Sequence, residues 1–252
     1  VGGVDKMNMR NVNIVARYES KLLRRDIVFL GFVVIALVGI SLWQMIKQGR
    51  VNVFWYKVAL PSSFPFFSMY YYNLVQVLIA LFVCMEVVYR ERKKDAMEVF
   101  LCRPFRNSEY CIGRFLGIFR MFLFVNICVL LVCMYINLWV VGAPFNVWIY
   151  VFYLFTLSIP TLIFVLGCAL SISAMVKNRP LSVLVLGLFG LGVYFYLDEW
   201  QFGAFDFWGR NLPNMFSDVV GHPDLKGYLL HRLTYTGLGV AGVLFWVANM
   251  KR

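Results

Sequence analysis

The sequence predicts an all-α polytopic membrane protein. It has six transmembrane helices, an N-terminal amphipathic helix at the interface and a cytoplasmic elbow between spans 2 and 3, with both termini cytoplasmic. Three observations predict it. Of 252 residues, 61% are hydrophobic and 15% charged, where soluble domains average about 45–50% and about 25%. The uncharged runs reach the roughly 20 residues that one helical crossing needs. Lys and Arg gather between alternate runs, as the inside-positive bias requires. Composition excludes a disordered chain, a disulfide scaffold and a collagen-like fibre. No ten-residue alternating segments of the kind that mark a membrane barrel occur.

The elements follow in order. Residues 8–25 project as an amphipathic interfacial helix: Asn13, Arg17, Ser20, Lys21 and Arg24 share one side, and Val12, Ile14, Val15, Ala16, Tyr18, Leu22 and Leu23 cover the other. Glu19 falls inside the apolar arc. It reads either as a surface acid beside Arg17 or Lys21, or as an acid aimed at a partner or at the adjacent loop. Span 1 covers 27–46, between Asp26 and Lys47, and span 2 covers about 65–86. The 56 residues between Arg120 and Lys177 carry no charge and contain the turn "VVGAPFNVW". They divide into span 3, about 115–139, and span 4, about 148–176. Span 5 covers 181–197 and span 6 covers 231–249. The first span lacks a small-residue cleavage site and is read as retained. The chain opens on Val1 rather than Met, which leaves an alternative start or a fragment edge open, with Met7 and Met9 as later start candidates.

Seventeen of the 24 Lys and Arg residues fall in the segments assigned to the cytoplasm, and six fall opposite. The net charge of +11 is therefore mostly a topology signal, and nucleic acid is not needed to explain it. Trp43, Trp55, Trp139, Trp148, Trp200 and Trp208 lie at or beyond the outer span ends, as an interfacial belt would. All six cysteines lie in spans or in the cytoplasmic loop, so no disulfide framework or metal motif is expected.

The cytoplasmic segment 87–112 mixes charge signs. Glu91, Asp95, Glu98 and Glu109 are interleaved with Arg90, Arg92, Lys93, Lys94, Arg103 and Arg106. Pro104 ends one helix, and Asn107 and Ser108 offer a cap for the next. Lipid-facing loops want only basic residues, so this pattern suits docking to another protein, against a plain solvated connection. The outer segment 198–227 holds five acids and six aromatic residues. It reads either as amphipathic pieces dipping into the outer leaflet or as an ordinary interfacial loop. Small residues at helical spacing (Gly113 with Gly117, Gly167 with Ser171, Ala169 with Ser173, Gly237 with Ala241) predict close helix contacts within the chain, with a dimer as the other option.

Chemistry is sparse. There is no GxxxxGK[ST] phosphate loop, and no Asp, Glu, Lys, Arg or His falls near the middle of a predicted span, which weighs against an ion-coupled carrier. His231 and His222 leave open an intramembrane enzyme; a non-catalytic anchor or assembly protein is the other alternative.

The order of parts resembles the permease subunits of type-2 ABC transporters (ABC-2 type exporters). The most specific stretch is "ERKKDAMEVFLCRPFRNSEYCIGRFLG", in which Glu91, Glu98, Leu101, Pro104, Ser108, Gly113 and Arg114 match the family's pattern. "IVARYESKLLRRD" is similar to the family's N-terminal helix, with Glu19 at its acidic position. Asp95-Ala96-Met97 stands where the family usually has a Gly-Thr pair. The resemblance implies a translocation path made with a second permease copy or a related half, in a bacterial inner membrane. It also implies a separate ABC ATPase that holds the ATP and magnesium, no cofactor in this chain, and no enzymatic activity of its own. The coupling interface it implies consists of Glu19, Glu91, Arg92, Lys93, Asp95, Glu98, Arg103, Pro104, Arg106 and Glu109.

Overall fold

In the computed structural model of the chain, the described residues are 8–47, 63–91, 106–139, 145–176, 178–193, 195, 205–209, 212, 215–216 and 224–249. Among them every regular element is helical: α1 (Met9–Leu23), α2 (Ile27–Lys47), α3 (Ser63–Glu91), α4 (Asn107–Leu138), α5 (Val147–Tyr153), a π-helical turn (Leu154–Ser158), α6 (Ile159–Met175), α7 (Arg179–Gly192) and α8 (Leu225–Asn249).

Four stretches are long and apolar enough to cross a membrane: Ile27–Ile46, Phe64–Val88, Asn107–Leu138 and Val147–Met175. They coincide with predicted spans 1 to 4, as a multi-pass membrane protein requires. The α7 helix has 14 residues, which at about 1.5 Å each is shorter than a hydrocarbon core of about 30 Å. The α8 helix is longer, but Lys226, His231 and Arg232 fall in its first third, and it begins at Leu225 rather than at His231.

Local chemistry accounts for the boundaries. Asn8 caps α1, its side chain accepting from Arg10 N. Asp26 closes the turn before α2, with Oδ1 accepting from Val28 N at 2.9 Å. The α4 helix begins one residue before the expected caps: Arg106 holds the N-cap position with no side-chain cap bond, and Asn107 and Ser108 are already helical. Glu109 supplies the acid of the first turn, where the helix dipole favours it.

Span 4 is not a plain α-helix. Pro160 cannot donate to the carbonyl four residues back, and its ring crowds that carbonyl. The chain widens into the π turn just before it. Thr156, within that turn, donates to Phe152 O at 2.8 Å and lies 2.8 Å from the Tyr228 hydroxyl of α8.

The core is aromatic and aliphatic. Phe29 and Phe32 of α2 meet Phe122 of α4 at centroid distances of 5.4 and 5.8 Å. The closest helix pair is α6 with α8, where a Cβ on Gly167 would overlap Gly239 O, and Ser171 Oγ lies 2.7 Å from Gly242 O. Tight backbone approach of this kind supplies dispersion contact where lipid removes the hydrophobic driving force. The expected partner pair Gly237 and Ala241 is displaced by Gly239 and Gly242: a Cβ on Gly237 meets nothing within 4 Å. The register is set by the phase of α8, which turns Tyr235, Gly239, Val243 and Trp246 inward.

Trp139, just after α4, and Trp148, at the start of α5, are exposed. Trp208 departs from the belt expectation. It is buried and stacks on Phe207 at 4.3 Å. Trp55 and Trp200 lie outside the described residues.

Candidate functional site

The α1 helix does not rest on the bundle by its whole apolar arc. Val12, Val15, Ala16, Glu19 and Leu23 form its buried stripe, while Ile14 and Tyr18 are 49% and 62% exposed. The stripe packs on α4 at Gly113 and Gly117. A Cβ on Gly113 would stand 2.7 Å from Val15 Cβ, and one on Gly117 would stand 2.8 Å from Ala16 O and 2.8 Å from Glu19 Cβ. Only glycine permits the two backbones to come this close. Ser20 Oγ reaches Gly117 O at 3.1 Å, and Arg120 Nη1 donates to Asn13 Oδ1 at 3.0 Å.

Glu19 is not a surface acid. It is 1% exposed, and its Oε2 accepts from Arg114 Nε at 3.3 Å. Arg114, 5% exposed, also donates through Nη2 to Val87 O near the end of α3 at 3.3 Å, and its guanidinium sits 5.1 Å over the Tyr110 ring. An isolated buried guanidinium is costly, and here a carboxylate and a carbonyl at the negative end of a helix offset it. One side chain thus joins α1, the end of α3 and the start of α4. Composition had counted Arg114 only as a loop cation; the sequence signal that could have found it is the odd acid in the α1 arc, which needs a buried base.

Glu109 forms a second clasp. Its carboxylate accepts from Asn8 N at 2.7 Å and Asn11 Nδ2 at 2.9 Å. It lies in the first turn of α4, before the predicted start of span 3, and these bonds, the Asn11 side chain foremost, hold its carboxyl below the ordinary range. Arg106 is exposed, its carbonyl accepting from Tyr110 N at 3.1 Å. Glu91 ends α3. Of the remaining residues of the expected interface, Arg92, Lys93, Asp95, Glu98, Arg103 and Pro104 lie outside the described residues.

Within segment 198–227, residues 205–209 form a short described turn. These residues turn into the bundle. Asp206, Phe207 and Trp208 are buried; Phe207 O accepts from Arg232 Nη1 at 3.0 Å and lies 2.8 Å from Thr161 Oγ1, whose single proton it shares with Leu157 O. Gly209 closes the turn at φ +91°, a conformation that favours glycine, with its N–H donating to Asp206 Oδ1 at 2.7 Å. Thr161 and Phe164 of α6 and Gly190 of α7, which this turn touches, stand near the middles of predicted spans 4 and 5. Beside it, Phe207 and Trp208 help wall an apolar cavity of about 190 Å³ between α3, α6 and α7.

Buried amides were also missed by a reading that looked for charge. Gln44, Asn73, Gln76, Asn126 and Asn137 are each at most 1% exposed within apolar helices. His231 packs edge-on against Tyr235 at 5.0 Å; His222 lies outside the described residues. Among the described residues no three His, Cys, Asp or Glu side chains gather as a metal site, and no disulfide joins the five described cysteines. The chain matches no known protein-family profile and no curated protein sequence.

Proposed function

We propose that this chain is the permease subunit of a type-2 ABC exporter in a bacterial cytoplasmic membrane. In this reading six spans, including α7 and α8, contribute to a translocation path completed by a second copy or a related half. Both termini and segment 87–112 face the cytoplasm. A separate ATPase docks beneath segment 87–112 and drives the change of access, while ATP and magnesium stay on that partner.

The Arg114 junction is the observation that carries the reading. The elbow leaves from α3 and returns at α4, and Arg114 ties both of those ends to α1 through Val87 O and Glu19. Force applied to the mixed-charge elbow would reach three helices at once. A plain connecting loop needs no such buried ion pair at its base, because the pair costs desolvation without adding net stability. Glu19 and Glu109 act in this scheme as positioning residues, and the ATPase contacts fall to Glu91, Arg92, Lys93, Asp95, Glu98, Arg103, Pro104 and Arg106.

The test is co-purification with an ABC ATPase encoded beside this chain. The wild type is expected to form a stable complex with nucleotide-dependent ATPase activity, and Glu91→Lys with Glu98→Lys to weaken it at least tenfold. A complex indifferent to both reversals removes the elbow from the interface; failure to bind any such ATPase removes the reading.

A further inference from the structure

Asn73 and Gln76 lie three residues apart, on one face of α3 with Met69 and Ala80, and Asn126 faces them from α4. All three amides are buried, at 0%, 0% and 1% exposure. Each falls within about three residues of the middle of predicted span 2 or span 3, where a bilayer holds no water to satisfy polar groups.

The hydrogen bonds in this cluster do not balance. Asn126 Nδ2 donates to Gln76 Oε1 at 2.5 Å and to Phe122 O at 2.8 Å, which uses both of its protons. Asn126 Oδ1, Gln76 Nε2 and both amide atoms of Asn73 are left without a partner. Rotating the Asn126 amide gives up the Phe122 bond and cures nothing. The shortfall is two donors and two acceptors, on Asn73, Gln76 and Asn126. Buried polar atoms in native proteins are nearly always satisfied, by protein or by an ordered guest.

From this we propose that Asn73, Gln76 and Asn126 form a binding site, at mid-span between α3 and α4, for an uncharged hydroxylic group. A hydroxyl donates one bond and accepts two, so it meets both donors and one of the two acceptors; water, which donates two, meets all four. A carboxylate or phosphate only accepts and an ammonium only donates, so either leaves half of the shortfall unmet. The nearest cation on α4, Arg120, is six residues from Asn126, about 9 Å along the axis, and donates to Asn13 Oδ1. The hydroxylic oxygen belongs either to bound water or to an alcohol group on an amphiphile entering the bundle. The site rests on the apolar helices and the amides, and stands with or without an ATPase partner.

Two measurements on the full-length protein test it. The first is the melting temperature of Asn73→Leu in lipid nanodiscs. With the site occupied, this variant strips hydrogen bonds from the guest and melts lower by about 3 °C or more. In a dry cluster it replaces two orphaned polar atoms with hydrocarbon of similar size, and an unchanged or raised melting temperature overturns the proposal. The second measurement keeps the test alive if the variant fails to fold. A high-resolution structure of the wild type in nanodiscs, with and without octyl glucoside, is expected to show non-protein density within hydrogen-bond distance of at least two of the three amides. Compact density in both samples assigns water, and extended density only with the glucoside assigns an alcohol-bearing amphiphile. Amides packed against carbon alone in both samples overturn the site.

Discussion

Glu19 and Arg114 stand 95 residues apart in sequence and 3.3 Å apart in space, both inaccessible to solvent. Removing one partner from such a pair leaves an uncompensated buried charge, which costs about 3–5 kcal/mol. Glu19→Ala is therefore expected to lower the melting temperature of the detergent-solubilised protein by roughly 6–20 °C, at about 2–4 °C per kcal/mol for a chain of this size. The double variant Glu19→Leu with Arg114→Met should recover most of that loss. Equal melting of wild type and Glu19→Ala would sink the buried-pair assignment.

The closeness of α1 to α4 makes a sharper claim. Gly117→Val would drive its side chain into Ala16 O and the Glu19 Cβ. Residues 9–23 are expected to exchange their amide protons at least about tenfold faster, the equivalent of roughly 1.4 kcal/mol. Gly31→Ala on α2, where a Cβ meets nothing within 4 Å, is the control and should leave exchange unchanged.

Acid should loosen the N-terminal end of the same contact. Because the Glu109 carboxyl is held below its ordinary range by Asn11 and Asn8, its bonds contribute fully above that range. Their contribution is lost as the pH falls through the lowered value. With intrinsic exchange divided out, the protection of the amides near Asn8 and Asn11 is expected to fall on that acid limb in the wild type. Glu109→Gln should show pH-independent protection there; a persisting acid limb would assign the effect to another group.

The buried turn at 205–209 depends on Gly209 and on the two donors to Phe207 O. Thr161→Val removes one of those donors and should lower the melting temperature by about 2–4 °C, from a loss of about 1 kcal/mol. Gly209→Ala faces both a positive φ and the Leu157 and Arg232 side chains, and is expected to cost more than Thr161→Val. Hydrogen exchange at Phe207 and Trp208 measures whether the turn has left the bundle. The reverse order of the two variants would contradict the described packing.

Much of the helical layout was legible because it is a one-dimensional property. The charge-free runs place α2 and α3 within a few residues, since a helix in lipid must be apolar over roughly its whole crossing; α4 starts at Asn107, eight residues before the expected span. Pro160 was visible too, but not the contact that the π turn before it makes with α8, where the Thr156 and Tyr228 hydroxyls meet at 2.8 Å. Glu19 was visibly out of place. Its partner was not, because Arg114 reads as one basic residue among many until α1 is laid on α4. Trp208 was assigned to the belt by its position along the chain; tertiary packing turned it inward instead.

By itself the sequence determined that this chain is helical, apolar enough for a membrane and amphipathic at its start. Those properties follow from composition and period, which need no knowledge of neighbours. The tertiary structure decided which polar groups meet: Glu19 with Arg114, Glu109 with Asn8 and Asn11, Phe207 O with Thr161 and Arg232, Gln76 with Asn126. The physical reason is that in a low-dielectric interior each polar atom's energy depends on a partner a few ångströms away, and those partners come from distant parts of the chain.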